Sequence, residues 1–303
     1  MTGTSIRPVA VGVDGSESAL VAVRWAADEA VRREAPLRIV HANLWPTYRP
    51  PAGHYPIQYQ QPMLEHSRRL LFAALVAATE RQPDLTISGE LIPTMAVDLM
   101  LAESGKAQLV VLGSRGRGSF AGVLLGSVAA AVTARGGCPV VVLRGYGSLP
   151  SDPAQGPVVV GLDGSGRDDP ALRFAFEAAG RRDTDLVALH AYGNGEPEHV
   201  TFEAGWDDGA VENEHRRLAE RLAMWRTEFP DVKVTPLVVP DRPARALLRA
   251  AHGAQLLVVG SRGRGVLAGM LVGSTSQALL HHGGCPIAVV RNHGVRRAGG
   301  AAD

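Results

Sequence analysis

Residues 113–127 read GSRGRGSFAGVLLGS, and residues 260–274 read GSRGRGVLAGMLVGS. Both fit one frame: Gly113-x-x-Gly116, nine residues and Gly126-Ser127, then again Gly260-x-x-Gly263, nine residues and Gly273-Ser274. A spacing kept twice at an offset of 147 (260 − 113) points to internal duplication. Working outward, VGVDGS at 11–16 returns as VGLDGS at 160–165, and Val40-His41-Ala42 returns as Leu189-His190-Ala191, both offset by 149. Gly137-Cys138-Pro139 returns as Gly284-Cys285-Pro286. The 303 residues therefore divide into two tandem copies, 1–150 and 151–303. They are joined by the polar, Pro- and Gly-rich segment 145–156, with the boundary near Ser151.

Within each copy, short β-branched runs alternate with longer helical patterns, the order of a parallel sheet covered by helices on both faces. The first copy predicts strands at 8–13, 37–42, 86–92, 108–112 and 139–143, and helices at 16–34, 63–81, 94–104 and 127–135. The second predicts strands at 157–162, 186–191, 232–239, 255–259 and 287–290. Runs such as Val140-Val141-Val142-Leu143 lack polar alternation, which suits strands buried on both faces. Ser16 is positioned to cap the first helix. Residues 44–62 hold Trp45, Tyr48, Tyr55 and Tyr59 among five prolines and read as a long loop. Its aromatics are expected to pack on the domain surface or against the other copy rather than cover a ligand.

Composition narrows the class of function. Lys and Arg number 31 against 30 Asp and Glu, a formal charge of +1, so the chain lacks the basic excess of a non-specific nucleic-acid binder. No apolar run reaches the ~18 residues of a membrane helix, and the N-terminus does not read as a signal peptide. A cytoplasmic protein is expected. Cys138 and Cys285 each stand alone and read as buried small hydrophobes rather than zinc ligands or a disulfide.

The glycine frame follows the fourth strand and opens a helix. Glycines let backbone N–H groups approach a ligand, and a helix N-terminus presents unpaired N–H groups with the positive end of the helix dipole, a geometry that suits phosphate. Ser127 and Ser274 either add hydroxyls to that phosphate or cap their helices. Arg115, Arg117, Arg262 and Arg264 read as solvated loop charges. Asp14 and Asp163 end the first strand of each copy, at the edge where doubly wound sheets bind ligands. A carboxylate there accepts from ribose hydroxyls or helps hold a hydrated Mg2+, although Asp-Gly-Ser is also a good turn. His41 and His190 end buried strands and read as core histidines.

These features together resemble the universal stress protein family in its ATP-binding branch: the Asp after strand one, the G-x2-G-x9-G-S loop, and Gly-Cys-Pro before an apolar last strand. The resemblance spans residues 6–144 and 156–291, as in tandem-domain members of the actinobacterial kind. It implies two Rossmann-like domains, each a five-stranded parallel sheet of order 3-2-1-4-5, paired through their last strands, and a chain that dimerises again. It also implies one ATP, with Mg2+, in each domain. The backbone of Val13 and Ala42 would lie against adenine and Asp14 against the ribose. Gly113, Gly116, Gly126 and Ser127 would hold ribose and phosphates, with Leu112 and Val128 beside them. Leu162, Asp163, Ala191, Val259, Gly260, Gly263, Gly273, Ser274 and Thr275 would do the same in the second copy, Thr275 replacing Val128 where a backbone N–H matters most. The implied role is regulatory, in stress response, dormancy and growth, with an unidentified protein partner.

Two other readings compete. Gly116-x-Gly118-x-x-Ala121 and Gly263-x-Gly265-x-x-Ala268 match the dinucleotide fingerprint, but they follow the fourth strand rather than the first. A Walker A loop is absent, since Gly105-Lys106 lacks both its upstream Gly and its following Ser or Thr. A slow ATPase or nucleotidyl transferase remains the enzymatic alternative. Near the loop, however, the sequence offers arginines and no repeated Lys, Glu or His base, so binding is favoured over turnover.

Overall fold

Val9, Val11, Leu109 and Val111 pack to one side of a sheet, while Ala10, Val110 and Leu112 pack to the other. Successive side chains on a strand point to opposite faces, so uninterrupted apolar runs demand cover on both sides. The computed structural model describes residues 6–43, 60–114, 116, 125–144, 156–166, 169–192, 208–261 and 273–292, and the structural statements below concern these. The first half runs β1 (Val9–Gly12), α1 (Glu17–Arg32), β2 (Leu37–Ala42), α2 (Gln60–Arg81), β3 (Ile87–Ile92), α3 (Ala96–Lys106), β4 (Leu109–Gly113), α4 (Ser127–Arg135) and β5 (Val140–Leu143). The second runs β6 (Val158–Leu162), α5 (Asp169–Gly180), β7 (Leu186–Ala191), α6 (Asp208–Glu228), β8 (Val234–Val239), α7 (Pro243–Ala250), β9 (Leu256–Gly260), α8 (Ser274–His282) and β10 (Ile287–Val290).

The sheet order is β3-β2-β1-β4-β5-β10-β9-β6-β7-β8, so each half has the expected 3-2-1-4-5 arrangement and the halves meet through their last strands. Pairing is parallel within each half and antiparallel between β5 and β10. One core layer, under α1, α2, α5 and α6, runs continuously across both halves; the other lies under α3, α4, α7 and α8. At one outer edge, Pro236 occupies β8, where it has no N–H to offer a further strand. Each half has a topological switch point, between β1 and β4 and between β6 and β9. A crevice opens there at the C-terminal strand ends.

Local chemistry sets the helix starts. Ser16 caps α1 as expected, its Oγ accepting from Ala19 N at 3.2 Å. In the second half α5 is described from Asp169, and residues 167–168 before it lie outside the described residues. Gly166, the position equivalent to Glu17 (17 + 149 = 166), has φ +75°, so the second half departs from strict repetition there. Cys138 and Cys285 are buried and free of disulfide, and burial pushes each thiol up to about 12. The aromatics at 45, 48, 55 and 59, linker residues 145–155 and residues 262–272 lie outside the described residues.

Candidate nucleotide site at the sheet switch point

Nine residues singled out in the first copy line one cavity of about 400 Å³: Val13, Asp14, Ala42, Leu112, Gly113, Gly116, Gly126, Ser127 and Val128. Val13 and Asp14 leave β1, Ala42 ends β2, Leu112 and Gly113 end β4, and α4 begins at Ser127. The β1–β4 switch places all four segments at one mouth. The loop is drawn back to the sheet by Gly126 N donating to Ser114 O at 2.7 Å and Ser114 N donating to Leu143 O at 2.6 Å. Gly126 is the N-cap of α4 and provides no side-chain cap hydrogen bond. Ser127 is therefore the first helical residue rather than the cap, and the first-turn N–H groups are presented toward the crevice.

Two glycines are needed for close approach. A Cβ on Gly113 would sit 2.6 Å from Ser18 Oγ and 2.8 Å from the Ser18 carbonyl carbon. A Cβ on Gly116 would overlap Asp14 Oδ2, so this glycine leaves the carboxylate its place in the cavity. Asp14 also organises the turn, its Oδ1 accepting from Ser16 N at 3.0 Å.

The structure adds residues that the sequence reading left out. Ala96, Leu99 and Met100 of α3 form an apolar wall, together with Val40. Their i, i+3, i+4 spacing was readable as a buried helix face, but which cavity it faced depended on the tertiary fold. His41 is buried, as expected of a core residue, yet it also lines the cavity. Its Nδ1 donates to Val13 O at 2.6 Å and its Nε2 lies 3.3 Å from Ser67 Oγ. That bond fixes the strand end whose backbone faces the cavity.

The second half repeats the frame. Leu162 ends β6 with Asp163 next to it, Ala191 ends β7, Val259 and Gly260 end β9, and Gly273 caps α8 ahead of Ser274 and Thr275. Asp163 Oδ1 accepts from Ser165 N at 2.8 Å, Gly273 N donates to Ser261 O at 2.9 Å, and His190 Nδ1 donates to Leu162 O at 2.9 Å. Gly263, with Arg262 and Arg264, lies outside the described residues, as do Arg115 and Arg117 of the first copy. The halves differ beneath this frame. His190 Nε2 lies 3.5 Å from Glu214 Oε2, and Ser276 Oγ donates to Gly260 O at 2.8 Å where the first half has Ala129.

Among the described residues, no group of three or more His, Cys, Asp or Glu side chains could hold a metal ion alone, and no helix is long and apolar enough to cross a membrane. Comparison with known proteins agrees with the duplicated architecture. The universal stress protein family matches residues 5–144 and again 156–291. Universal stress protein Rv2005c of Mycobacterium tuberculosis is 41% identical over 287 residues, covering 93% of this chain and 96% of that protein. Universal stress protein Rv2623 of the same organism is 40% identical over 299 residues, covering 96% and 98%. A crystal structure of a universal stress protein from Archaeoglobus fulgidus shares the fold, with a TM-score of 0.66 and 19% identity over 95% of this chain and 97% of that one. With two family matches spanning both halves and relatives aligned over nearly their whole length, the chain belongs to the universal stress protein family as a tandem-domain member.

Proposed function

We propose that each domain binds one ATP and that occupancy serves regulation in the stress response rather than turnover. The observation that supports this most is the cavity at the β1–β4 switch. Its apolar half, Val40, Ala42, Leu99, Met100 and Leu112, suits a flat base, and its other half offers glycine backbone, the α4 N-terminus and Asp14. About 400 Å³ falls in the range of small-molecule sites. Mg2+ fits this arrangement as a companion of the triphosphate, because a single carboxylate binds it only with help from phosphate oxygens. Asp14 and Asp163 would hold it, and it would neutralise phosphate charge.

A regulatory role finds support in the length of α1. Its 16 residues span about 24 Å, from the Ser16 cap beside the cavity to the contact with the second domain. Occupancy can shift that contact only if ATP prefers one arrangement over another. The same reading carries a cytoplasmic location, a homodimer and a regulatory protein partner.

The test is nucleotide stoichiometry. Protein purified without added nucleotide is heat-denatured, and the released small molecules are identified by mass and counted per chain, with direct ATP titration alongside. Up to two ATP per chain are expected, falling to about one in Asp14→Ala with Gly126→Ala and to none when Asp163→Ala and Gly273→Ala are added. Circular dichroism checks that the variants remain folded. Two ATP retained in the first variant, or release of a flavin or NAD, would overturn the assignment.

A further inference from the structure

The contact between the domains has a local two-fold symmetry that one side chain breaks. In the β5–β10 ladder, Val141 faces Ala288, Val140 faces Val289 and Val142 faces Ile287. Positions 141 and 288 are equivalent in the two copies (288 − 141 = 147), so the register reads the same from either domain. The symmetry extends to the C-terminal ends of α1 and α5. Trp25, Glu29 and Arg33 correspond to Phe174, Ala178 and Arg182, each offset by 149. The Arg33 guanidinium stacks 5.0 Å from the Phe174 ring centre, and that of Arg182 stacks 5.8 Å from the Trp25 ring centre. Each arginine thus lies on the aromatic ring of the other domain.

The acid is not duplicated. Glu29 Oε1 accepts from Arg33 Nε at 2.6 Å and Oε2 accepts from Arg182 Nη2 at 2.5 Å. The three side chains are 0%, 4% and 2% exposed. At the equivalent position in the second domain stands Ala178, whose carbonyl accepts from Arg182 Nη1 at 3.1 Å. Arg33 Nη2 is buried with no hydrogen-bond partner among the described residues. Two buried cations therefore share one carboxylate. Burial pushes the Glu29 carboxyl up, but Arg182 and Arg33 outweigh it and hold the group below the usual carboxylate range.

We infer that Glu29 is the recognition residue of the interdomain surface, so that the α5 face of the second domain accepts the α1 face of a first domain and rejects another α5 face. Two second domains joined in this way would oppose Arg182 to Arg182 with only alanine at the position of the acid. Breaking a buried charge pair by removing one partner is strongly destabilising, because the other charge remains desolvated. The fitting partner is a helix that carries one buried carboxylate where α1 carries Glu29. By the symmetry of the site, the requirement is for one acid from either side.

The full-length chain tests this by moving the acid. Glu29→Ala should lower the thermal midpoint by about 6 °C or more. Glu29→Ala with Ala178→Glu returns a carboxylate to the same two arginines from the opposite domain and should recover at least half of that loss. A midpoint unchanged in Glu29→Ala, or a relocated acid that recovers nothing, would overturn the inference. Should Glu29→Ala fail to fold, Glu29→Met with Arg33→Met and Arg182→Met removes the cations together with the acid. Folding restored in that variant supports uncompensated charge as the cause; failure of the triple variant as well would assign the loss to packing and overturn the inference.

Discussion

At the scale of single residues, the two loop glycines serve different purposes and should respond differently to the same methyl group. In Gly113→Ala the new Cβ meets the Ser18 backbone, carbonyl oxygen included at 2.9 Å, so α1 itself has to move. Overpacking of this kind costs about 1–3 kcal/mol. Thermal unfolding should show a loss of several degrees. In Gly116→Ala the obstacle is the end of the Asp14 side chain, which can rotate away. The fold should then lose no more than the Ser16 N–Asp14 bond, about 1 kcal/mol or about 2 °C, while ATP affinity falls about tenfold as the carboxylate leaves its place, the order expected for one hydrogen bond to a charged group. Calorimetric titration beside thermal unfolding separates the two outcomes. A stable Gly113→Ala, or full ATP affinity in Gly116→Ala, would contradict the division of roles.

At the scale of elements, α1 depends on its cap. Ser16→Ala removes the hydroxyl that accepts from Ala19 N, a loss of about 1 kcal/mol that should lower the thermal midpoint by about 2 °C, while Ser16→Asp should hold it. The strands were readable in advance because their apolar runs are continuous: the structure keeps 37–42, 186–191 and 287–290 unchanged and moves at least one limit of each other strand by one or two residues. The glycine frame was equally readable, since a spacing conserved between two copies of one chain is evidence internal to that chain. The left-handed conformation of Gly166, where the first half has the helical Glu17, was not, because it is a matter of backbone geometry rather than of any apolar pattern. Nor was the α3 wall of the cavity. Ala96, Leu99 and Met100 show a buried face in sequence, but only the sheet order determines that the face closes the β1–β4 crevice. Glu29 was hidden for a related reason, since a buried acid at a helix end acquires meaning only when Arg182, 153 residues away, is brought to it.

At the scale of the whole molecule, the two domains behave as halves of one sheet rather than as neighbours on a tether. β5 and β10 are buried along their whole length, and each would become an exposed edge strand if the domains parted. An unpaired, fully apolar edge is a strong template for other strands, so separation is unfavourable for both halves. Both core layers continue across the junction, and Arg291 of the second domain donates to Gly136 O of the first at 3.1 Å. The covalent connection between β5 and β6 then adds effective concentration to a surface that is already paired. A protease site inserted between Gly145 and Gly156 and cut to completion should leave both fragments in a single gel-filtration peak at the size of the intact chain, unfolding in one transition a few degrees lower. Dilution should separate them only when the surface is weakened, as in the cut form of Glu29→Ala. Fragments that elute apart in the otherwise unaltered cut protein would mean that the linker, and not the paired strands and the buried charge cluster, holds the domains together.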